Sequence, residues 1–247
     1  MIGRLTLAAS LTLFCTACDS NKGDTDRLAT ARDFPRAYRP VSQGGESSFS
    51  SEETRDDRRE AATVMALANI KPGMTVADIG AGEGYYTVRL AEKVGESGRV
   101  LAQDIDPEVV SQLGDRVERE RLDNVSIKLG SEDDPRLPKG SFDRIFLVHM
   151  YHEVSEPYAF LWRLRPALRK GGQVVVVDID RPTADHGIDP RLLFCEFEQV
   201  GFRLVEFVRK PELAGYYAQF EAVGKRPQPE AIEPCSQPGE RDDNVAA

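Results

Sequence analysis

Residues 75–86 read TVADIGAGEGYY, and this stretch decides the fold. Thr75 to Ile79 is a short apolar run, preceded by Lys71-Pro72-Gly73 and followed by glycines, which is the signature of a strand. Thr87, Leu90, Ala91 and Val94 then recur at helical spacing, and Gly95 stands where the helix should stop. Glycines are needed where backbone turns sharply or where a ligand must approach without meeting a Cβ; an ordinary glycine-rich turn is the plainer alternative. A nicotinamide fingerprint places its third glycine three positions after the second, to serve a pyrophosphate. Here Gly80, Gly82 and Gly84 are evenly spaced, one residue too short for that pattern. Asp78, just ahead of them, is a poor neighbour for phosphate and suits a cationic amino group.

Working outward, strand and helix signals alternate. Upstream, Ser50 and Glu53 form a capping box for a helix reaching Ile70. Downstream, Val100 to Gln103 is a second strand. Asp106-Pro107 then caps and opens a helix whose buried stripe is Val110, Leu113 and Val117. Val125 to Leu129 and Arg144 to Val148 are the third and fourth strands. Ser155 to Leu168 reads as a helix shortened by Pro166. QVVVVDI (173–179) is apolar throughout and must be covered on both faces. Asp189-Pro190 starts a last helix with Leu193, Phe197 and Val200 inward, and strands 203–208 and 216–223 close the series. Such alternation means a parallel sheet with helices on both faces. Ligands of such sheets bind beyond the carboxyl ends of the strands, where the strand order reverses.

Four stretches occur in one order: VADIGAGEG (76–84), GRVLAQDID (98–106), LGSEDDPRLPKGSFDRIFLV (129–148) and LRKGGQVVVVD (168–178). Together they resemble the motifs of class I S-adenosylmethionine-dependent methyltransferases, over residues 51–223. The resemblance implies a doubly wound, mostly parallel seven-stranded sheet in three layers, the Rossmann-like methyltransferase fold, with S-adenosyl-L-methionine as cofactor. It sets Asp78 near the methionine amino group, and Gly80, Ala81, Gly82 and Gly84 against the cofactor. Asp104, with Ile105 beside it, falls on the ribose, whose two hydroxyls a carboxylate can accept. Ser131 and Glu132 fall at the adenine, although the family often has an acidic residue directly after the glycine, here Gly130. Tyr86, like Tyr85, closes over the methionine end or packs the helix. Asp106 is a helix cap.

The run His149-Met150-Tyr151-His152-Glu153 follows the fourth strand, where this fold faces the reactive methyl. His149 or His152 is placed to act as general base or to orient the acceptor, since histidine titrates near neutrality; packing over the sheet is the competing role. The loop 181–190 should lie over the same pocket, as a lid or a plain connection. Small insertions after the fourth and fifth strands favour a small-molecule methyl acceptor. An exported nucleoside-binding protein without turnover, or a nicotinamide oxidoreductase, are the rival functions.

The ends read differently. Arg4 precedes LTLAASLTLF (5–14), too short for the roughly twenty residues that span a bilayer but suited to an export signal over residues 1–18. CTAC (15–18) resembles a bacterial lipoprotein cleavage box, which makes Cys18 a lipidated, membrane-attaching residue; Cys15 stands where a Leu-like residue is usual. The expected location is therefore the cell envelope, or the cytoplasm if the start is misassigned. Residues 19–50 are polar, without period, and read as a flexible arm; residues 224–247 read as a disordered tail. The chain has 247 residues and a net charge of −9, which speaks against nucleic acid as partner. Its four cysteines, Cys15, Cys18, Cys195 and Cys235, match no disulfide framework, with Cys195 read as a core residue. Neither cysteines nor histidines show metal-ligand spacing, so no metal is expected.

Overall fold

The computed structural model describes residues 25–42 and 51–236; the export run and Cys18 lie outside them. Helices α1 (Glu52–Asp57) and α2 (Glu60–Leu67) lead into β1 (Thr75–Ile79), α3 (Tyr85–Val94), β2 (Arg99–Asp104), α4 (Pro107–Arg119) and β3 (Val125–Leu129). Then follow β4 (Phe142–Val148), α5 (Pro157–Leu164), β5 (Leu168–Asp178), α6 (Pro190–Gln199), β6 (Phe202–Lys210) and β7 (Gly215–Ala222). The order across the seven-stranded sheet is β3-β2-β1-β4-β5-β7-β6. Strands β1 to β5 pair in parallel, and β7 runs antiparallel to both β5 and β6. The order reverses between β1 and β4, so their carboxyl ends splay apart and leave a crevice.

Side chains alternate faces along a strand, and β5 uses both. Val174 and Val176 join a core with Ile79, Ile145, Leu161 and Phe197, whereas Val175 and Val177 join a second core with Val64, Leu90 and Phe146. All four valines are fully buried. Helices α5 and α6 therefore cover one face, and α2 and α3 the other.

The structure differs from the sequence reading in four places. The single helix expected from Ser50 to Ile70 is two, because Arg59 turns left-handed at φ 58°; Ser51 is the cap, its Oγ accepting from the Thr54 N–H at 3.3 Å. The expected arm is packed over residues 25–42. Arg27 pairs with Glu156 at 2.7 Å, Phe34 packs edge-on to Trp162, and Arg39 is buried against Glu196. The expected tail also folds back as far as Ser236. Trp162 Nε1–H donates to the Pro227 carbonyl at 2.9 Å, and the Cys235 N–H to the Tyr158 hydroxyl at 2.7 Å. That return brings Cys235 to α6, where it is disulfide-bonded to Cys195. No spacing rule marks such a pair, because only the tertiary return of the tail makes the two neighbours.

Candidate functional site

The loop leaving β1 is stitched to the end of β2. The Ala81 N–H donates to the Gln103 carbonyl at 3.0 Å, and the Gly82 N–H to Asp104 Oδ2 at 3.0 Å. The other oxygen of Asp104 accepts from the N–H groups of Ile105 at 2.7 Å and Asp106 at 3.2 Å. Asp104 thus fixes the loop and keeps acceptor capacity to spare, since a carboxylate offers about four lone-pair sites. Asp106 caps α4, accepting from the Glu108 N–H at 2.8 Å.

Beneath this loop lies a cavity of about 550 Å³, within the usual range for a small-molecule site. Gly80, Ala81 and Gly82 line one wall, Gln103, Asp104 and Ile105 the next, and Ser131 and Glu132 the third. The fourth wall follows β4 and carries His149, Met150 and Glu153. Among the described residues a Cβ added at Gly82 would meet nothing within 4 Å, so that backbone is open toward them, and φ is +54° there. Gln103 Nε2 is buried without a hydrogen-bond partner among the described residues. Ile105 keeps 51% of its surface exposed at the rim.

Four expected residues stand behind the walls. Asp78 is 3% exposed and accepts from the Thr87 hydroxyl at 2.6 Å. Burial pushes its carboxyl up to about 6, against the Thr87 hydrogen bond that lowers it. Gly84 faces α4, where an added Cβ would lie 2.5 Å from Leu113 Cδ1. The hydroxyl of Tyr86 donates to Glu60 Oε1 at 3.0 Å from inside the core, and Tyr85 lines the cavity in its place. His152 is 2% exposed, and its Nδ1–H donates to Asp178 at 2.9 Å.

His149 reaches the cavity from a left-handed backbone, φ 53°, with Nε2 3.5 Å from Glu60 Oε1. Burial alone would raise the Glu60 carboxyl, but His149 and Arg55 hold it at about 2. The sequence reading missed three further contributors to the walls. Glu52 and Arg55 come from α1, and nothing in their spacing points to the cavity. Glu153 sits within the His149–Glu153 run and could have been found there; burial pushes its carboxyl up.

A family model described as a methyltransferase domain matches residues 70–200. The chain is similar to the protein-L-isoaspartate O-methyltransferase of Methanothrix thermoacetophila, 33% identical over 115 residues, which are 47% of this chain and 52% of that protein. It is also similar to the arsenite methyltransferase of Halobacterium salinarum, 26% identical over 64% of this chain and 44% of that one. The chain spans about half the length of these curated relatives. Among solved structures, a SAM dependent methyltransferase from Aquifex aeolicus superposes with a TM-score of 0.60 and 25% identity, covering 70% of this chain and 97% of that one.

Proposed function

From the premise that this chain belongs to the methyltransferase-domain family, we propose that it transfers a methyl group from S-adenosyl-L-methionine to a small-molecule acceptor. The observation that carries this reading is the cavity at the β1/β4 reversal, walled by the Gly80–Gly82 loop and Asp104. Its donor set fits the cofactor. Open backbone at Gly82, the remaining lone pair of Asp104 and the buried Nε2 of Gln103, unpartnered among the described residues, suit a ribose and an amino acid moiety, and Ile105 offers an apolar side to a base. When bound, S-adenosylmethionine supplies an electrophilic methyl on a sulfonium.

The chain's own part is to hold two reactants together and dry, an effect worth several kcal/mol in bimolecular reactions. In this reading the acceptor lies against the β4-end wall of His149, Met150 and Glu153. His152 contributes from behind that wall, holding the turn through Asp178. Short connections after β4 and β5 leave a crevice sized for a small molecule.

Isothermal titration of the chain from residue 19 with S-adenosylmethionine, S-adenosylhomocysteine and NAD tests the assignment. The first two should bind and NAD should not; NAD binding alone would overturn it. Asp104→Ala should weaken S-adenosylmethionine by about 1–3 kcal/mol, the scale of hydrogen bonds to a charged group. Asp106→Ala, a lost helix cap, should instead cost about 0.5–2 kcal/mol of stability.

We also propose that the domain works in the cell envelope, attached through a lipidated Cys18. Two features support this: the apolar run ahead of Cys18 and the Cys195–Cys235 disulfide, a bond that persists in oxidising compartments.

A further inference from the structure

From Glu153 in the fourth wall of the cavity to the residues behind it, His152, Glu153 and His186 bring one ligand atom each within 4.8 Å of one another. We propose that these three side chains hold a divalent transition-metal ion of the zinc class. Their spacing along the chain gives no hint of it, because His186 arrives from the loop after β5.

Four observations carry the site. First, His152 Nε2 and His186 Nδ1 are both buried with no hydrogen-bond partner among the described residues. A buried nitrogen without a partner is costly and calls for an explanation such as an ion. Second, His152 Nε2 lies 3.8 Å from Glu153 Oε1. Ligands about 2.0–2.2 Å from a tetrahedral zinc lie roughly 3.3–3.6 Å apart, so this pair is close to ligand spacing, and the other separations, within 4.8 Å, close by side-chain rotation on binding. Third, the other nitrogen of His152 already donates to Asp178, which is fully buried and also accepts from the Ile179 N–H at 2.8 Å. A carboxylate behind a ligating imidazole is the usual support of such a ligand; it fixes the tautomer that leaves Nε2 free to bind.

Fourth, the backbone is distorted to deliver His186. Its φ is 56°, a left-handed conformation that costs a non-glycine residue energy and is found where function requires it. Gly187, next to it, lies so near the Ile179 carbonyl that an added Cβ would be 2.5 Å from that oxygen. The loop is thus drawn tightly over the end of β5, with the Ile188 N–H donating to the Ile179 carbonyl at 2.8 Å.

Two imidazoles and one carboxylate leave at least one coordination position open, as in catalytic rather than structural zinc sites. The charges also match: Glu153 and Asp178 together balance a dication. Of the three, Glu153 lines the cavity and joins the site to its acceptor side. There the ion would take an acceptor's hydroxyl or thiol. The heteroatom–hydrogen bond breaks, its proton passes to solvent, and a heteroatom–metal bond takes its place. That role rests on the methyltransferase reading; metal binding itself does not.

The test uses the whole chain, stripped with a chelator and titrated with Co²⁺ alone, then with Zn²⁺. One Co²⁺ per chain with visible ligand-field absorption, displaced by Zn²⁺, is expected. His186→Ala should weaken Co²⁺ binding at least 100-fold while leaving the circular dichroism and the S-adenosylmethionine affinity unchanged. Asp178→Asn should weaken it 10–100-fold, the range for a support of a ligating histidine. His152→Ala is a poorer probe, since it strands Asp178 in the core. Sub-stoichiometric Co²⁺ binding, or binding that survives His186→Ala, overturns the site. Loss of cofactor binding with Co²⁺ binding intact would sink the methyltransferase reading and leave this one standing.

Discussion

Arg39 Nε–H donates to Glu196 Oε1 at 2.8 Å, and each of the two side chains is only 1% exposed. The same guanidinium donates to the carbonyls of His152 and Val154, both at 3.0 Å, and Tyr151 holds the other Glu196 oxygen at 2.8 Å. A residue of the N-terminal segment therefore pins the turn that carries His152 and Glu153. Arg39→Ala would leave Glu196 buried and unpaired, which costs about 3–5 kcal/mol. Urea unfolding at neutral pH should show that loss, and a change below about 1 kcal/mol would mean that the segment does not brace the domain.

Gly82 and Gly84 of the loop are expected to separate by role. Gly84→Ala sets a Cβ 2.5 Å from Leu113 Cδ1 at a φ of +90°, and overpacking plus strain should cost about 1–3 kcal/mol of stability. Gly82→Ala meets no atom of the described residues within 4 Å. It should lose only the left-handed penalty of about 1–2 kcal/mol, yet bind S-adenosylmethionine at least tenfold more weakly. Equal affinity in wild type and Gly82→Ala would remove this glycine from the cofactor contact.

These roles show what a sequence can carry. The glycine loop and the Asp106 cap are local: strand, turn and helix start lie within a few residues, so spacing exposes them. Asp104 stands 22 residues from Gly82, and it is the likeness of 98–106 to a family motif that points to it. The packing of residues 25–42 is not local. Arg27 and Arg39 look like solvated charges until Glu156 and Glu196 are brought to them from beyond β4 and β5. The same holds for Cys195 with Cys235, and for His186, which reaches His152 only because β4 and β5 are neighbours. Asp78 and Tyr86 fall between the two cases. Their position in the motif is plain, but which way each side chain turns depends on Thr87 and Glu60.

Asp78 gives a pH signature. Its carboxyl titrates near 3.8 when unfolded and at about 6 in the fold, because burial disfavours the charge. Between these values the folded state binds more protons, so the stabilising contribution is present below pH 4 and is lost as pH rises through about 6. The loss should be a few kcal/mol. Asp78→Asn should flatten that decline and be more stable than wild type at pH 7, with no advantage at pH 4. Glu60 acts in the opposite sense and in a lower window: held at about 2, it contributes stability above pH 4.5 that is lost as pH falls through 2. S-adenosylmethionine affinity should rise between pH 5 and 7, because an ammonium favours the ionised Asp78. A flat affinity would place the amino end of the cofactor elsewhere.

The disulfide and Cys18 make a joint prediction about compartment. Cys195 and Cys235 close a loop with a sequence separation of 40. On the loop-entropy scale such a cross-link is worth about 3–4 kcal/mol. Cys195→Ser should therefore lower the melting temperature measurably, and reducing agent should lower the wild type to the same level. The tail carries buried Ile232 and Cys235 onto the core beside α5 and α6, so its release should also expose apolar surface to a hydrophobic dye. A bond of this size is kept where thiols are oxidised, and that is the setting an export signal ahead of Cys18 would provide. In a bacterial host the wild type should fractionate with membranes, incorporate labelled fatty acid and carry no free thiol at residues 195 and 235. Cys18→Ser should lose the label and the membrane association, since stable attachment requires more than one acyl chain. Wild type recovered soluble, unlabelled and with both thiols free would argue for a cytoplasmic enzyme. Its tail would then be held by Tyr158 and Trp162 without the bond.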